Sequence, residues 1–88
     1  MAKYVAQLEF TDPARRLEVR SAHREYCREL FARGSLVMAG PWADETGALL
    51  VYEAADEAAA RELLAKDPYT LADVYRLVLF REWRQVLP

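Results

Sequence analysis

The stretch VYRLVLFREW, Val74–Trp83, decides the fold. Side chains of an extended strand point alternately to its two faces. Both faces of this strand are apolar, with Tyr75, Leu77 and Leu79 on one and Val74, Val78 and Phe80 on the other. Helices can cover one face of a sheet, so the second face of such a strand needs a partner.

Three more strands are predicted upstream. KYVAQLEF, residues 3–10, alternates with period two and is rich in strand-favouring side chains. SLVMAG and GALLVYE, residues 35–40 and 47–53, are short apolar runs joined by the loop GPWADETG, which is rich in turn-forming residues. The sequence therefore predicts a strand at the N-terminus and a hairpin, or two neighbouring strands, in the middle.

Capping residues mark two helices between these strands. Asp12 and Pro13 are suited to begin helix one, which Gly34 ends after Ala32 or Arg33. Asp56 begins helix two, EAAARELLAK, which ends before the turn DPYTLAD and its one short helical turn. The order β-α-β-β-α-β predicts a single α+β domain over residues 1–88, ferredoxin-like, with an antiparallel sheet. Its uncovered apolar face predicts a homodimer in which two sheets stack about 10 Å apart, with a higher homo-oligomer as an alternative.

The composition limits the classes of partner that the protein is expected to bind. A formal net charge of −2, with basic residues interleaved among glutamates, excludes a nucleic-acid-binding surface of the usual basic kind. The opening MAKYVAQLEF is too short and too polar for a membrane span, so no membrane partner is expected. Cys27 is the only cysteine, which forbids an internal disulfide, argues against a structural metal site and favours the cytoplasm.

His23, the only histidine, lies within the apolar sector of helix one. That sector is Val19, Ala22, His23, Tyr26, Cys27 and Leu30. A ridge beside it holds Arg20, Arg24, Arg28, Glu25 and Glu29, which is typical of a solvated face. Cys27 is interpreted as a packed, inert thiol. His23 could be a core histidine bonded to backbone, or an acid–base group if a carboxylate orients it and a pocket opens beside it.

Two loop carboxylates could orient His23. Asp67 precedes Pro68 after helix two, and Asp44 lies in the loop after Gly40 and Pro41; each is also an ordinary turn or solvated residue. Sequence distance does not choose between them. The aromatic residues beside them, Trp42 and Tyr69, could wall a small-molecule pocket, and Trp42 could equally make a dimer contact.

Taken together, AHREY in helix one, LVMAGPWAD, LLVYEAADEAAARELLAKDPY and the closing VYRLVLFREW resemble the YCII-related (YciI-like) proteins over nearly the whole chain. The resemblance implies a dimeric α+β barrel and an active-site histidine–aspartate pair. The matching positions are His23 and Asp67, with Asp44 as second choice. A dehydrochlorinase of chlorinated hydroxyhydroquinones belongs among the relatives, but most members have no assigned reaction, and the loop after strand two is shorter here than in some bacterial members.

The leading functional hypothesis is a small cytoplasmic enzyme of lyase, dehydrochlorinase or isomerase type. It would need no cofactor and no metal, and His23 with Asp67 would move a proton on a small aromatic or enolisable ligand. Gly40, Pro41, Trp42, Tyr69 and Asp44 are the candidate binding residues. One alternative is a non-catalytic dimeric module, small-ligand-binding or accessory, that uses the same pocket. Another is a haem-dependent or antibiotic-type monooxygenase, which a colourless protein after expression with added haem would contradict.

Overall fold

A computed structural model describes residues Met1–Pro88. The elements are β1 Ala2–Phe10, α1 Pro13–Ala32, β2 Leu36–Pro41, β3 Gly47–Ala54, α2 Glu57–Ala65, α3 Pro68–Leu71 and β4 Tyr75–Trp83. The predicted α+β order is confirmed, and the short helical turn expected in DPYTLAD is α3. None of the helices is long and apolar enough to cross a membrane.

The helix boundaries have local causes that the sequence displays. The Asp12 side chain accepts a hydrogen bond of 3.0 Å from the amide of Arg15, and Pro13 occupies the first turn of α1. Gly34 follows α1 with a φ of 78°, the left-handed conformation that glycine adopts without strain. Asp56 caps α2 by accepting from the amide of Ala59 at 2.8 Å. The two long helices thus begin where the predicted caps stand.

The strands form one antiparallel sheet in the order β2-β3-β1-β4. Ala6 at its centre pairs with Leu50 of β3 and Phe80 of β4, and all three are buried on the face that the helices cover. The core on this face is Tyr4, Ala6, Leu8, Leu30, Leu36, Leu50, Tyr52, Ala54, Ala60, Leu64, Tyr69, Val74 and Phe80. Helices α1 and α3 lie against each other over the sheet, which brings distant parts of the chain together.

Both edge strands contain an irregularity. In β4, Leu77 pairs with Leu8 and Leu79 pairs with Gln7, which leaves Val78 as an extra residue. The prediction that Leu77 and Leu79 share one face is therefore wrong, because the bulge turns Leu79 to the face opposite Leu8. In β2, the register shifts between Leu36 and Met38.

The sheet face away from the helices carries an apolar patch. A shallow depression on it is lined by Val5, Met38, Leu49, Val51, Leu79, Arg81, Glu82 and Trp83, and no helical residue contributes. Met38 and Trp83 are 54% and 43% exposed in the protomer, which is unusual for side chains of this size and polarity. This face, called the open face below, is the surface that the sequence predicts to be covered by a second copy.

Gly47, at the start of β3, is expected to tolerate no side chain. A Cβ atom there would overlap the backbone carbonyl oxygen of Leu8 and press on the indole of Trp42. We predict that Gly47→Ala lowers the free energy of unfolding by about 1–3 kcal/mol or more, through overpacking against backbone that cannot move aside. The matched control is Gly40→Ala, where a Cβ would meet nothing within 4 Å. Urea unfolding of both variants checks this, and an equal effect of the two substitutions contradicts it.

Candidate active site

His23 projects from the middle of α1 toward Asp67, the residue before α3. Its Nδ1 lies 2.8 and 2.9 Å from the two carboxylate oxygens of Asp67. The Asp67 side chain is fully buried and that of His23 is 12% exposed. Because a carboxylate only accepts hydrogen bonds, Nδ1 carries a proton and Nε2 is the nitrogen left to exchange one.

Asp67 is held in place by the turn that it begins. It caps α3, and the amide of Tyr69 donates to Oδ1 at 2.8 Å. Asp67 is therefore both the turn initiator before Pro68 and the partner of His23. The hydrogen bond from the Tyr69 amide fixes the carboxylate, and both carboxylate oxygens face the imidazole.

Tyr69 and Arg16 extend this arrangement. The Tyr69 ring stacks on the imidazole of His23 with centroids 3.8 Å apart and planes 6° from parallel. Its hydroxyl accepts a hydrogen bond of 3.1 Å from Nε of Arg16, which is only 5% exposed. The guanidinium of Arg16 also donates to Glu45 at 3.0 Å and lies 4.3 Å from the centroid of the Phe10 ring. The imidazole is thus clamped in both position and plane.

Sequence reasoning missed Arg16. It precedes His23 by seven residues, or two helical turns, and so lies on the same side of α1. That spacing was the available signal, although an arginine near the start of a helix is ordinarily solvated. The apolar sector was also drawn too wide, because Ala22 is exposed while Arg16 and Leu30 are the buried residues of α1.

Cys27 lies one turn after His23 and contacts its ring. The sulfur is 3.5 Å from Nε2 and 3.8 Å from Nδ1. A sulfur that lay in the ring plane along the lone pair of one nitrogen would be much farther from the other nitrogen. Cys27 therefore packs against the ring and does not hydrogen-bond to Nε2. Burial, with a smaller contribution from the charge of Asp67, raises the pKa of the Cys27 thiol from 9.0 to about 12. The thiol is therefore protonated at neutral pH, in keeping with its interpretation as packed and inert.

His23, Cys27 and Asp67 are the residues that could hold a metal ion, since one donor atom from each lies within 4.8 Å of the others. As arranged, however, Nδ1 and the carboxylate are bonded to each other and the thiol keeps its proton. A cation would have to displace that hydrogen bond and ionise the sulfur. The donor set therefore suits the holding of a proton better than the holding of a metal.

The raised pKa of Cys27 predicts a pH dependence of stability. The thiol ionises near its ordinary pKa of 9.0 in the unfolded chain and only near 12 in the folded protein. The stabilisation that comes from the buried, protonated thiol is therefore fully present below about pH 9 and is lost as the pH rises toward 12. We expect parent protein to lose stability more steeply than Cys27→Ala between pH 8 and pH 10.5 in urea unfolding. Parallel curves for the two proteins would contradict this.

A cavity of about 220 Å³ opens beside His23. It is lined by Phe10, Arg16, His23, Arg24, Cys27, Arg28, Ala39, Gly40, Pro41, Ala48, Leu50 and Tyr69. Gly40, Pro41 and Tyr69 were among the predicted binding residues and lie in its wall. Of the ridge predicted to be solvated, Arg24 and Arg28 are exposed as expected and also line the cavity, whereas Arg20 is half-buried 3.6 Å from Glu45.

Two other candidate site residues, Asp44 and Trp42, lie outside the lining of this cavity. The Asp44 carboxylate accepts hydrogen bonds from the hydroxyl and amide of Thr46, at 2.7 and 3.0 Å, which lower its pKa below the usual range. It is exposed and does not contact His23, so the second choice of partner is wrong. Trp42 is 39% exposed, lies against Gly47 and is absent from the cavity lining. Asp44 thus stabilises the conformation of its loop, and this structural role accounts for its hydrogen bonds.

Comparison with known proteins places the chain in a family. No curated protein matches the sequence. Among solved structures, the chain is similar to 5-chloro-2-hydroxyhydroquinone dehydrochlorinase from Burkholderia phenoliruptrix in complex with 2,5-dihydroxybenzoquinone, with a TM-score of 0.80, 20% identity and 93% of each chain covered. At that identity the likeness concerns the fold. The model of the YCII-related domain matches residues 2–84, nearly the whole chain, and on this evidence the protein belongs to the YCII-related domain family.

Proposed function

We propose that the protein is a cytoplasmic enzyme that moves a proton on a small aromatic or enolisable substrate, without a cofactor. The observation that carries this proposal is the hydrogen-bonded His23–Asp67 pair in the wall of a cavity that small molecules can enter. Nε2 makes no hydrogen bond to a protein oxygen or nitrogen, so it can take a proton from a bound molecule. Asp67 stabilises the imidazolium that results, and Tyr69 keeps the ring from turning.

The dimensions of the cavity support a substrate with a single ring. A protein cavity of about 150 Å³ is large enough for benzene. The cavity beside His23, at about 220 Å³, has room for one substituted ring. Its wall combines apolar side chains such as Phe10 and Leu50 with the polar groups of His23 and the arginines, a mixture typical of sites for small organic molecules.

Elimination and isomerisation are the reactions that one acid–base group can perform alone. In a dehydrochlorination, the base takes a proton from carbon, chloride leaves from the neighbouring carbon, and the electrons of the C–H bond become a double bond. In an isomerisation, the imidazolium returns the proton at a different carbon. The dehydrochlorinase with a similar fold lends weight to the first of these reactions. Either reaction needs only the transfer that His23 can make.

We also propose that the enzyme is a homodimer assembled through the open face. Most side chains in the depression on that face are apolar: Leu49 and Leu79 flank Gln7 of β1 from the two neighbouring strands, and Val51 pairs with Val5. A second copy offers the same apolar surface, so a two-fold arrangement buries both surfaces at once. Stacking of the open faces leaves the His23 cavity on the other side of each sheet, among the helices.

Proton transfer can be tested before the natural substrate is known. Quinols, lactones and enolisable acids are incubated with the protein in D₂O, and the incorporation of deuterium at carbon is followed by NMR. Enzyme-dependent incorporation into any member of the series supports the proposal. A ligand that binds beside His23 but neither exchanges nor reacts would instead favour the non-catalytic binding module.

A further inference from the structure

Arg16 lines the cavity and keeps hydrogen-bond donors that the protein does not use. A guanidinium has five N–H donors. In Arg16, Nε binds the Tyr69 hydroxyl and Nη1 binds Glu45, while Nη2 makes no hydrogen bond within the protein. The side chain is only 6% exposed, yet it belongs to the lining of the cavity that holds His23. A buried cation with free donors is a site for a group that accepts hydrogen bonds and carries negative charge.

Two further arginines stand at the exposed side of the same cavity. Arg24 and Arg28 are one turn apart on α1 and both line it. Arg24 has no ion-pair partner, and Arg28 is paired at 3.2 Å with Glu25, where both side chains are about two-thirds exposed or more. Such an exposed pair neutralises little of the field of the arginine.

The acidic groups nearby lie outside the lining of the cavity. None of the twelve lining residues is acidic. Asp67 is buried behind the imidazole and bound to it, and Glu45 contacts Arg16 from a loop outside the lining. Three guanidinium groups and one imidazole therefore surround whatever enters, and Arg16 is buried, where charges interact more strongly than in water.

We propose that this cavity binds its substrate as an anion, a carboxylate or an ionised enol or phenol, held by Arg16 at the buried end and by Arg24 and Arg28 at the opening. This inference rests on the proposed function and adds the class of substrate. It also gives the arginines a part in the chemistry. Removal of a proton from carbon leaves negative charge on the substrate oxygens, and guanidinium donors already in place stabilise that charge as it forms.

The test compares a matched pair of ligands, benzoate and benzamide, which have the same ring and differ in charge. Binding is followed by the NMR signals of the single imidazole at fixed pH, since His23 is the only histidine and reports on this cavity alone. We expect benzoate to bind about tenfold or more tightly than benzamide, and its affinity to fall as salt is added. Arg24→Gln and Arg28→Gln should each weaken benzoate by roughly three- to tenfold and leave benzamide unchanged.

The control is Arg15→Gln, which removes the same charge from the same helix, where Arg15 is exposed and paired with Glu18. It should bind benzoate as the parent does. Equal affinity for the two ligands, benzoate binding that ignores both cavity variants, or no response of His23 to millimolar benzoate would each overturn the proposal. Equilibrium binding requires no turnover. The anion preference can thus fail while deuterium exchange persists, and exchange can fail while the preference stands.

Discussion

His23→Gln is expected to lower turnover by about 10²–10⁴-fold, the contribution typical of a positioned acid–base group. Glutamine is of similar length and can still donate an N–H to Asp67, so the helix packing should persist. It cannot take up and release a proton near neutral pH, which removes the step assigned to Nε2. The measurement is the rate of deuterium incorporation, or of product formation, with the best substrate from the screen.

Two companion variants make that result interpretable. Asp67→Asn should also lower the rate, because an amide does not stabilise the imidazolium and can select the wrong tautomer of His23. Cys27→Ala removes a side chain that touches the same ring but stays protonated at neutral pH, so it should keep most of the activity. Full activity in a folded His23→Gln protein would remove His23 from the mechanism. Circular dichroism and sedimentation of all three variants establish that they are folded.

Leu79→Glu is expected to convert a dimer into a monomer at micromolar concentration. Leu79 lies on the open face in the edge strand β4, opposite Gln7 of β1, and is half-buried within the single chain. In the proposed dimer, each copy of the substitution would bury an unpaired carboxylate, which costs several kcal/mol. The monomer keeps that carboxylate in water and loses little. Sedimentation of the parent and the variant at the same concentration checks the change in mass.

The matched control for this prediction is Leu71→Glu. Leu71 is the last residue of α3 and is 76% exposed, far from the open face, and its substitution adds the same charge. It should leave the dimer intact. A parent that sediments as a monomer, or a Leu79→Glu protein that remains a dimer, would contradict assembly through this face. The first result would also leave Met38 and Trp83 exposed without a partner.

Local signals in the sequence were enough for the order of the elements. Asp12 with Pro13, Asp56 and Gly34 act through bonds and backbone angles within a few residues, and the helices begin and end where these residues stand. Alternation predicted β1 and β4, and short apolar runs beside turn-forming residues predicted β2 and β3. The assignment of faces failed in β4, because a bulge depends on pairing with β1 and leaves no mark in the alternation itself.

Long-range contacts account for what the sequence did not resolve at the site. Arg16 is buried because Tyr69 and Glu45, 53 and 29 residues away, accept its hydrogen bonds. The choice of Asp67 over Asp44 depends on the packing of α1 against α3, since both aspartates have equally good local roles. Likewise, Arg24 and Arg28 are solvated as predicted, but they line a cavity only because β2, with Ala39, Gly40 and Pro41, forms its opposite wall.

The irregular edges of the sheet bear on how the protein avoids unwanted association. A regular edge strand is a template to which a strand of another molecule can add, and this is a route to aggregation. Here β4 is interrupted at Val78 and β2 near Met38, and β2 ends at Pro41, whose nitrogen has no hydrogen to donate. Neither edge offers an unbroken ladder of donors and acceptors. Growth of the sheet sideways into a fibril is thereby opposed, while a closed pair through the open face stays accessible to the same chain.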